Sequence, residues 1–330
     1  MRYAVSLRTG SYNPNMYYTI RHVTRFRYSA PITQSVMEAR MQPRTEGSQR
    51  CLSFQLSVTP PARVLNYRDY LGNVIHNFDV PGEHRQLSII AQSQVEVRPL
   101  AELPASLPAS AWDEISQNEY DMLVASHFTH PSPLLSALAE ELNVQRRDDP
   151  LTFLRELTAQ IYDAFAYVPD STAVDSPIDD ALKARQGVCQ DFTHIMLALL
   201  RPLGIPARYV SGYLYSREGG TRSTPGASHA WVEALLPELG WVGFDPTNNL
   251  IADFRHIRVA IGRDYDDVPP TRGIFKGKAD TELSVSVRVT LADEPPPEDP
   301  PIPPHWASLN DDGEQLTPEQ IFEQQQQQQQ

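Results

Sequence analysis

Between residues 17 and 99 the apolar side chains recur at every second position. Leu52, Phe54, Leu56 and Val58 alternate with polar residues, and so do Leu87, Ile89 and Ala91, then Val95 and Val97. A period of two marks a strand with one buried face. Gly72-Asn73, set between Tyr70-Leu71 and Val74-Ile75, predicts a two-residue hairpin connection. Short strands separated by turn residues predict a small β-sandwich over residues 17–100. Ahead of it, residues 1–16 read as a flexible leader, with turn chemistry in Gly10-Ser11-Tyr12-Asn13-Pro14-Asn15.

Beyond a connector punctuated by Pro104 and Pro108, the period lengthens to 3.6. Asp149-Pro150 is a helix start, with Asp as N-cap and Pro at the first helical position. Leu151, Leu154, Leu157, Ile161 and Phe165 then share one face. A second helix is predicted from Cys189 to Leu200, ended by Pro202 and Gly204. Strands follow over 207–214, 229–236 and 241–244, and a last alternating run ends at Leu291. The fold class is therefore α+β, with a second domain over 101–292. Residues 293–330 hold a proline cluster, seven terminal glutamines, nine acidic residues and no Lys or Arg. Such a composition predicts disorder.

Charge changes little once the tail is set apart. The chain of 330 residues has a formal net charge of −13, of which the tail carries −9, leaving −4 for residues 1–292. Generic nucleic-acid binding needs a basic face and is not expected. The longest purely apolar run, Ile195 to Leu200, is six residues, where a membrane span needs about 20. The N-terminus has no apolar segment of signal-peptide type. Two cysteines in the chain argue against a disulfide framework and for a reducing compartment, the cytoplasm.

Three positions carry candidate chemistry. Cys189 follows Gly187-Val188 at the predicted helix start, where the macrodipole and unpaired backbone N–H groups stabilise negative charge on sulfur. Taken alone, a cysteine reads first as an inert core residue. His229 heads one predicted strand and Asp245 ends the next. A hairpin through Pro237-Glu238-Leu239-Gly240 sets the two side by side at one sheet edge. A helix-borne thiol packed there completes a nucleophile–base–orienter set. Among the other residues, His194 lies about 140° around the helix from Cys189 and reads as a core or surface histidine. His256, near Arg255 and Arg258, reads as part of a solvated strand edge or of a pocket for acidic groups. Asp179-Asp180 reads as a helix-start pair. Gly219-Gly220, within Ser216–Gly226, reads as a loop or lid ahead of His229. With neither Cys-x-x-Cys nor His-Glu-x-x-His in the chain, no metal and no cofactor is expected.

Gly187-Val188-Cys189-Gln190-Asp191-Phe192, His229-Ala230-Trp231-Val232-Glu233 and Trp241-Val242-Gly243-Phe244-Asp245-Pro246-Thr247 together resemble the core of the transglutaminase-like superfamily, of papain-like fold. The separations of 40 and 16 residues between Cys189, His229 and Asp245 fit that family. His22–Tyr28, Met41-Gln42-Pro43-Arg44 and Asp69-Tyr70-Leu71-Gly72-Asn73 are similar to the N-terminal domain of the bacterial transglutaminase-like proteins, as is Arg258–Tyr265 with Arg272-Gly273 to the bacterial group as a whole. The resemblance spans residues 17–292. It implies acyl transfer at an amide carbonyl through a Cys189 thioester, with His229 and Asp245 completing the triad. Water as acceptor makes a peptidase or amidase acting on peptide or isopeptide bonds; an amine makes a protein-glutamine gamma-glutamyltransferase. A non-catalytic peptide-binding module of the same fold is a third outcome. The resemblance also implies a peptide or protein partner and a link to ATP-grasp-type peptide ligases. Papain-type proteases carry an oxyanion-hole Gln six residues before the nucleophile. Here that position is Lys183, and Gln186 stands three before. Gln190 and Trp231 are candidate wall residues, or a surface Gln and a packed aromatic.

Overall fold

The computed structural model describes residues 15–99, 101–216, 221–223 and 226–292. The expected tail, the leader up to residue 14 and the Gly219-Gly220 pair lie outside the described residues. In chain order the elements are β1 (Met16–Ala39), β2 (Gln49–Thr59), β3 (Val64–Arg68), β4 (Val74–Val97), α1 (Pro133–Glu141), α2 (Pro150–Ala164), β5 (Ala166–Tyr167), α3 (Ile178–Ala184), β6 (Gln186–Gly187), α4 (Cys189–Leu200), β7 (Ala207–Leu214), β8 (His229–Leu236), β9 (Gly240–Asp245), β10 (Leu250–Ile251), β11 (His256–Gly262), β12 (Thr271–Lys276) and β13 (Thr281–Ala292). The α+β class holds, with the predicted helix and strand segments of the second half in place.

The first sheet runs β12-β1-β4-β2, with β13 also on β1 and β3 also on β4. β1 and β4 are antiparallel strands of 24 residues each. Their register breaks between Arg27 and Gln34, and such irregularities bend a sheet. β2 and β13 flank one half of the long pair, β3 and β12 the other. Phe78 and Val80 from one half close on Leu87, Ile89 and Ala91 from the other. The sandwich is thus one sheet folded over on itself. Residues 271–292, grouped from sequence with the second domain, hydrogen-bond to β1 in this first sheet.

The hairpin at Gly72-Asn73 has a different form from the one expected. It joins β3 to β4 through Asp69–Asn73, and Tyr70 and Leu71 belong to the turn. The Asp69 carboxylate accepts from Leu71 N at 3.0 Å and Asn73 N at 2.8 Å. This local side-chain bonding stabilises a longer loop over a two-residue turn.

The second sheet has the order β10-β9-β8-β7-β11. α4 packs on it through Phe192, Ile195, Met196 and Leu199, against Ala230, Val232 and Ala234 of β8 and Phe244 of β9. α2 is capped as its sequence dictates: the Asp149 side chain accepts from Leu151 N and Thr152 N. Its apolar stripe, Leu151, Leu154, Leu157 and Ile161, is fully buried.

The outer edge of β11 is covered by side chains of the first region. The Gln49 amide donates to Arg258 O and accepts from Arg258 N, both at 2.8 Å. The Asn73 amide donates to Ile261 O at 2.8 Å and accepts from Ile261 N at 2.9 Å. Each side chain imitates one residue of a neighbouring strand, which satisfies an edge that would otherwise be bare. Arg44 fixes Asn73 in turn, with Nη1 2.7 Å from its Oδ1. Tyr18, Ile20, Val95 and Val287 then pack with Tyr213, Ile257 and Val259 across the junction of the two sheets.

Candidate active site

Cys189 is the first residue of α4. Its placement depends on Asp191, whose Oδ2 accepts from Val188 N at 2.8 Å and Thr172 Oγ1 at 2.6 Å. Burial raises the Asp191 pKa despite these bonds. A Cβ at Gly187 would fall 2.8 Å from Asp191 Oδ2, so the glycine is what lets the carboxylate fold back beneath the turn. Gly187 to Asp191 is therefore one local device that holds a half-buried thiol at a helix N-terminus.

His229 opens β8 and Asp245 closes β9, and the antiparallel ladder from Leu236↔Gly240 to Val232↔Phe244 brings them together. His229 Nε2 lies 2.8 Å from Asp245 Oδ2. Asp245 is fully buried. Its Oδ1 accepts from Thr247 N at 3.0 Å and Asn248 N at 3.2 Å, and its Oδ2 from Asn248 Nδ2 at 2.7 Å. Burial opposes the charge, but the two histidines facing the carboxylate hold its pKa well below the usual range. Burial likewise opposes protonation of His229. The charge and hydrogen bond of Asp245, aided by a hydrogen bond and the charge of Cys189, outweigh it and raise His229 to about 10. Nε2 is committed to Asp245, and the ring also hydrogen-bonds with Cys189. Trp231 stacks on it, centroids 6.0 Å apart.

The structure therefore brings Cys189, His229 and Asp245 to one place. The remaining expectations divide. Trp231 is a wholly buried packed aromatic, and Gln190 donates to Val174 O at 2.8 Å. Lys183 is exposed on α3, and Gln186 pairs in β6 with Ala166. Asp179 and Asp180 occupy the first turn of α3. His194 is a core residue accepting from Tyr265 N at 3.2 Å. His256 departs from the solvated edge expected of it: it is buried, with Nε2 3.2 Å from Asp245 Oδ2. The reason is that the edge strand β11 is covered by Gln49 and Asn73, and the His256 ring packs on Trp231.

Asn248 was not legible beforehand. Besides holding Asp245, its Nδ2 donates to Ser223 Oγ at 2.8 Å, and its Oδ1 accepts from Arg222 N at 2.8 Å. Ser223 Oγ stands 3.4 Å from His229 Nδ1. Its only sequence signal was position, three residues beyond Asp245. A cavity of about 430 Å³ opens beside His229, lined among others by Leu214, Thr221, Ser223 and Val287. Val287 N donates to Gly226 O at 2.6 Å, so β13 of the first sheet forms part of its wall.

Among the described residues, His229, Asp245 and His256 are the one group with ligand atoms close enough for a metal, all within 4.8 Å. Both imidazoles already direct Nε2 at the same carboxylate oxygen, which is the geometry of a hydrogen-bond network.

The chain matches the family described as the bacterial transglutaminase-like N-terminal region over residues 18–96, and the transglutaminase-like superfamily over 136–246. It is 33% identical to the uncharacterized protein ML0607 of Mycobacterium leprae, across 82% of this chain and 96% of that one. It is 36% identical to the uncharacterized protein Rv2569c of Mycobacterium tuberculosis, across 82% and 92%. A protein-glutamine gamma-glutamyltransferase of Pseudomonas aeruginosa matches at 36% identity, over 36% of this chain and 19% of that protein. Among solved structures, one described as a "Putative Cysteine Protease from Cytophaga hutchinsonii" superposes with a TM-score of 0.68 at 22% identity, covering 86% and 93%. That likeness extends to both sheets.

Proposed function

The chain belongs to the transglutaminase-like superfamily, and on that premise we propose a thiol enzyme that transfers an acyl group from an amide through a Cys189 thioester, with water as the acceptor. The observation that carries this reading is the 2.8 Å His229–Asp245 pair beside a cysteine on a helix N-terminus. In the first half-reaction the Cys189 thiol proton passes to His229 and the sulfur attacks the amide carbonyl. The C–S bond forms, the C–N bond breaks, and His229 gives the leaving amine its proton. In the second, water attacks the thioester, His229 takes the water proton, and the thiolate leaves. The Cys189 backbone N–H, unpaired at the first turn of α4, is positioned to donate to the oxyanion.

An amine acceptor in the second half-reaction makes the same site a protein-glutamine gamma-glutamyltransferase, the activity named for the Pseudomonas aeruginosa relative. The substrate class is a peptide or protein, handled alongside ATP-grasp-type ligases in this proposal. Two free cysteines support a reducing, cytoplasmic setting. No helix among the described residues is long and apolar enough to cross a membrane.

Alkylation by iodoacetamide tests the site without knowing the substrate. Burial pushes the Cys51 thiol up to about 11, so Cys51 is an internal slow control. Cys189 is expected to react faster than Cys51 by tenfold or more, and His229→Ala to remove the advantage. Equal rates at the two cysteines, unaffected by His229→Ala, sink the enzyme reading and leave the binding module. A peptide library, with and without excess amine and read by mass spectrometry, separates hydrolysis from transamidation.

A further inference from the structure

Asp245 faces two imidazoles, and the proposed reaction uses one. We propose that His256 is a positioning residue, a second fixed donor to Asp245 that holds the carboxylate where His229 needs it; the inference rests on the reading of His229 and Asp245 as base and orienter. Three observations carry it.

The first is the tautomer. His256 Nδ1 lies 3.1 Å from the backbone N–H of Asp253. Asp253 Oδ1 is also 3.4 Å from Nδ1, but the nearer backbone N–H only donates, so Nδ1 accepts there and a proton sits on Nε2. That proton points at Asp245 Oδ2, 3.2 Å away.

The second is rigidity. His256 is buried at 4% exposure, at the start of β11 opposite Leu214. Its ring meets Trp231 edge to face at 5.2 Å and lies 6.2 Å from the His229 ring. Trp231 therefore touches both imidazoles and keeps them at a set angle about the shared oxygen. The Asp253–His256 turn is closed by His256 N donating to Asp253 O at 3.0 Å, which locks the ring that Asp253 orients.

The third is the demand made by a fully buried carboxylate. Such a group is held by several donors at once, and His256 is the third on Oδ2. Asn248 and Thr247 fill Oδ1, and Asn248 and His229 engage Oδ2. When His229 gives its proton to the leaving amine, it loses its charge and its hold on Oδ2 loosens. His256 stays, because nothing in the reaction moves it. Oδ2 is then held in place through the step.

The test is the iodoacetamide rate at Cys189 in the full chain, with thermal melting alongside. His256→Ala is expected to slow alkylation about 10- to 100-fold. His256→Gln keeps a donor at the position of Nε2 and is expected to return the rate to within about threefold of wild type. Loss of packing alone would slow both variants equally. An alanine variant that melts as wild type and alkylates within twofold of it overturns the inference. So does a folded Gln variant as slow as Ala. If the alanine variant does not fold, His256→Asn, whose amide falls short of Asp245, replaces it: equal rates for Gln and Asn overturn the role, and a slower Asn supports it. Failure of the enzyme reading stays distinguishable, because there wild-type Cys189 itself reacts no faster than Cys51.

Discussion

Each sheet buries a histidine, and the two behave in opposite ways. His22 of the first sheet has Tyr213 OH 3.0 Å from Nδ1 and Thr24 Oγ1 3.3 Å from Nε2. Burial lowers its pKa to about 4. His229 of the second sheet is buried as deeply and is raised to about 10. Desolvation acts against the charged ring in both. What differs is the partner: two hydroxyls in one case, an ionised carboxylate in the other. Burial alone disfavours the charged ring, whereas burial beside a carboxylate favours it.

Removing the carboxylate charge breaks this contrast most severely. Asp245→Asn is expected to cost about a thousandfold in Cys189 alkylation. It should also drop the His229 titration, followed by NMR, from about 10 to below 6.5, where His22 already lies. A ring still titrating near 10 would refute the account of its charge.

The second effect is on stability. Folded His22 binds its proton less tightly than the unfolded chain does. Its contribution is present above pH 6.5 and is lost as pH falls toward 4, about 3 kcal/mol in all. His194, lowered to about 3 by burial, acts in the same direction. His229 has the opposite sign: its contribution is full below 6.5 and is lost as pH rises through 10. Urea unfolding across pH 4–7 should weaken on the acid side, and His22→Gln should flatten that slope. An unchanged slope would remove His22 from the explanation.

A smaller effect is expected at the junction. Asn73→Ala leaves the Ile261 N–H and C=O without partners, at about 2 kcal/mol, seen as a lower melting temperature with the slow Cys51 alkylation rate unaltered. Cys51→Ala is the smallest change of all. It should leave the Cys189 rate within error, and a drop would mean that Cys51 contributes to the site.

Local patterns made much of this legible. Asp149-Pro150 marked α2, the stripe from Phe192 to Leu200 marked α4, and the strand-like segments 207–214, 229–236 and 241–244 marked β7, β8 and β9. The hairpin argument then brought His229 beside Asp245, because antiparallel pairing fixes which strand ends meet. Features that depend on distant pairing were not legible. Gln49 and Asn73 look like ordinary polar residues of a strand and a turn. Their partners, Arg258 and Ile261, lie about 200 residues away. His256 looked solvated for the same reason, since nothing local reveals that β11 is covered. The fold of one sheet upon itself was hidden too, because the bend sits at a register break inside β1 and β4.

The return of β13 to β1 sets an order of assembly. Tyr17 pairs with Ala292 and Tyr28 with Thr281, so among the described residues the first strand made is finished by the last. At about 5–20 residues per second of synthesis, β1 waits roughly a quarter of a minute to a minute for that neighbour. Meanwhile its open edge is a template for pairing with a second nascent chain. The cavity beside His229 is bordered by the same strand, so its wall is complete only once the chain has been read through to Ala292. A chain released before that strand carries Cys189, His229 and Asp245 and lacks one side of the cavity.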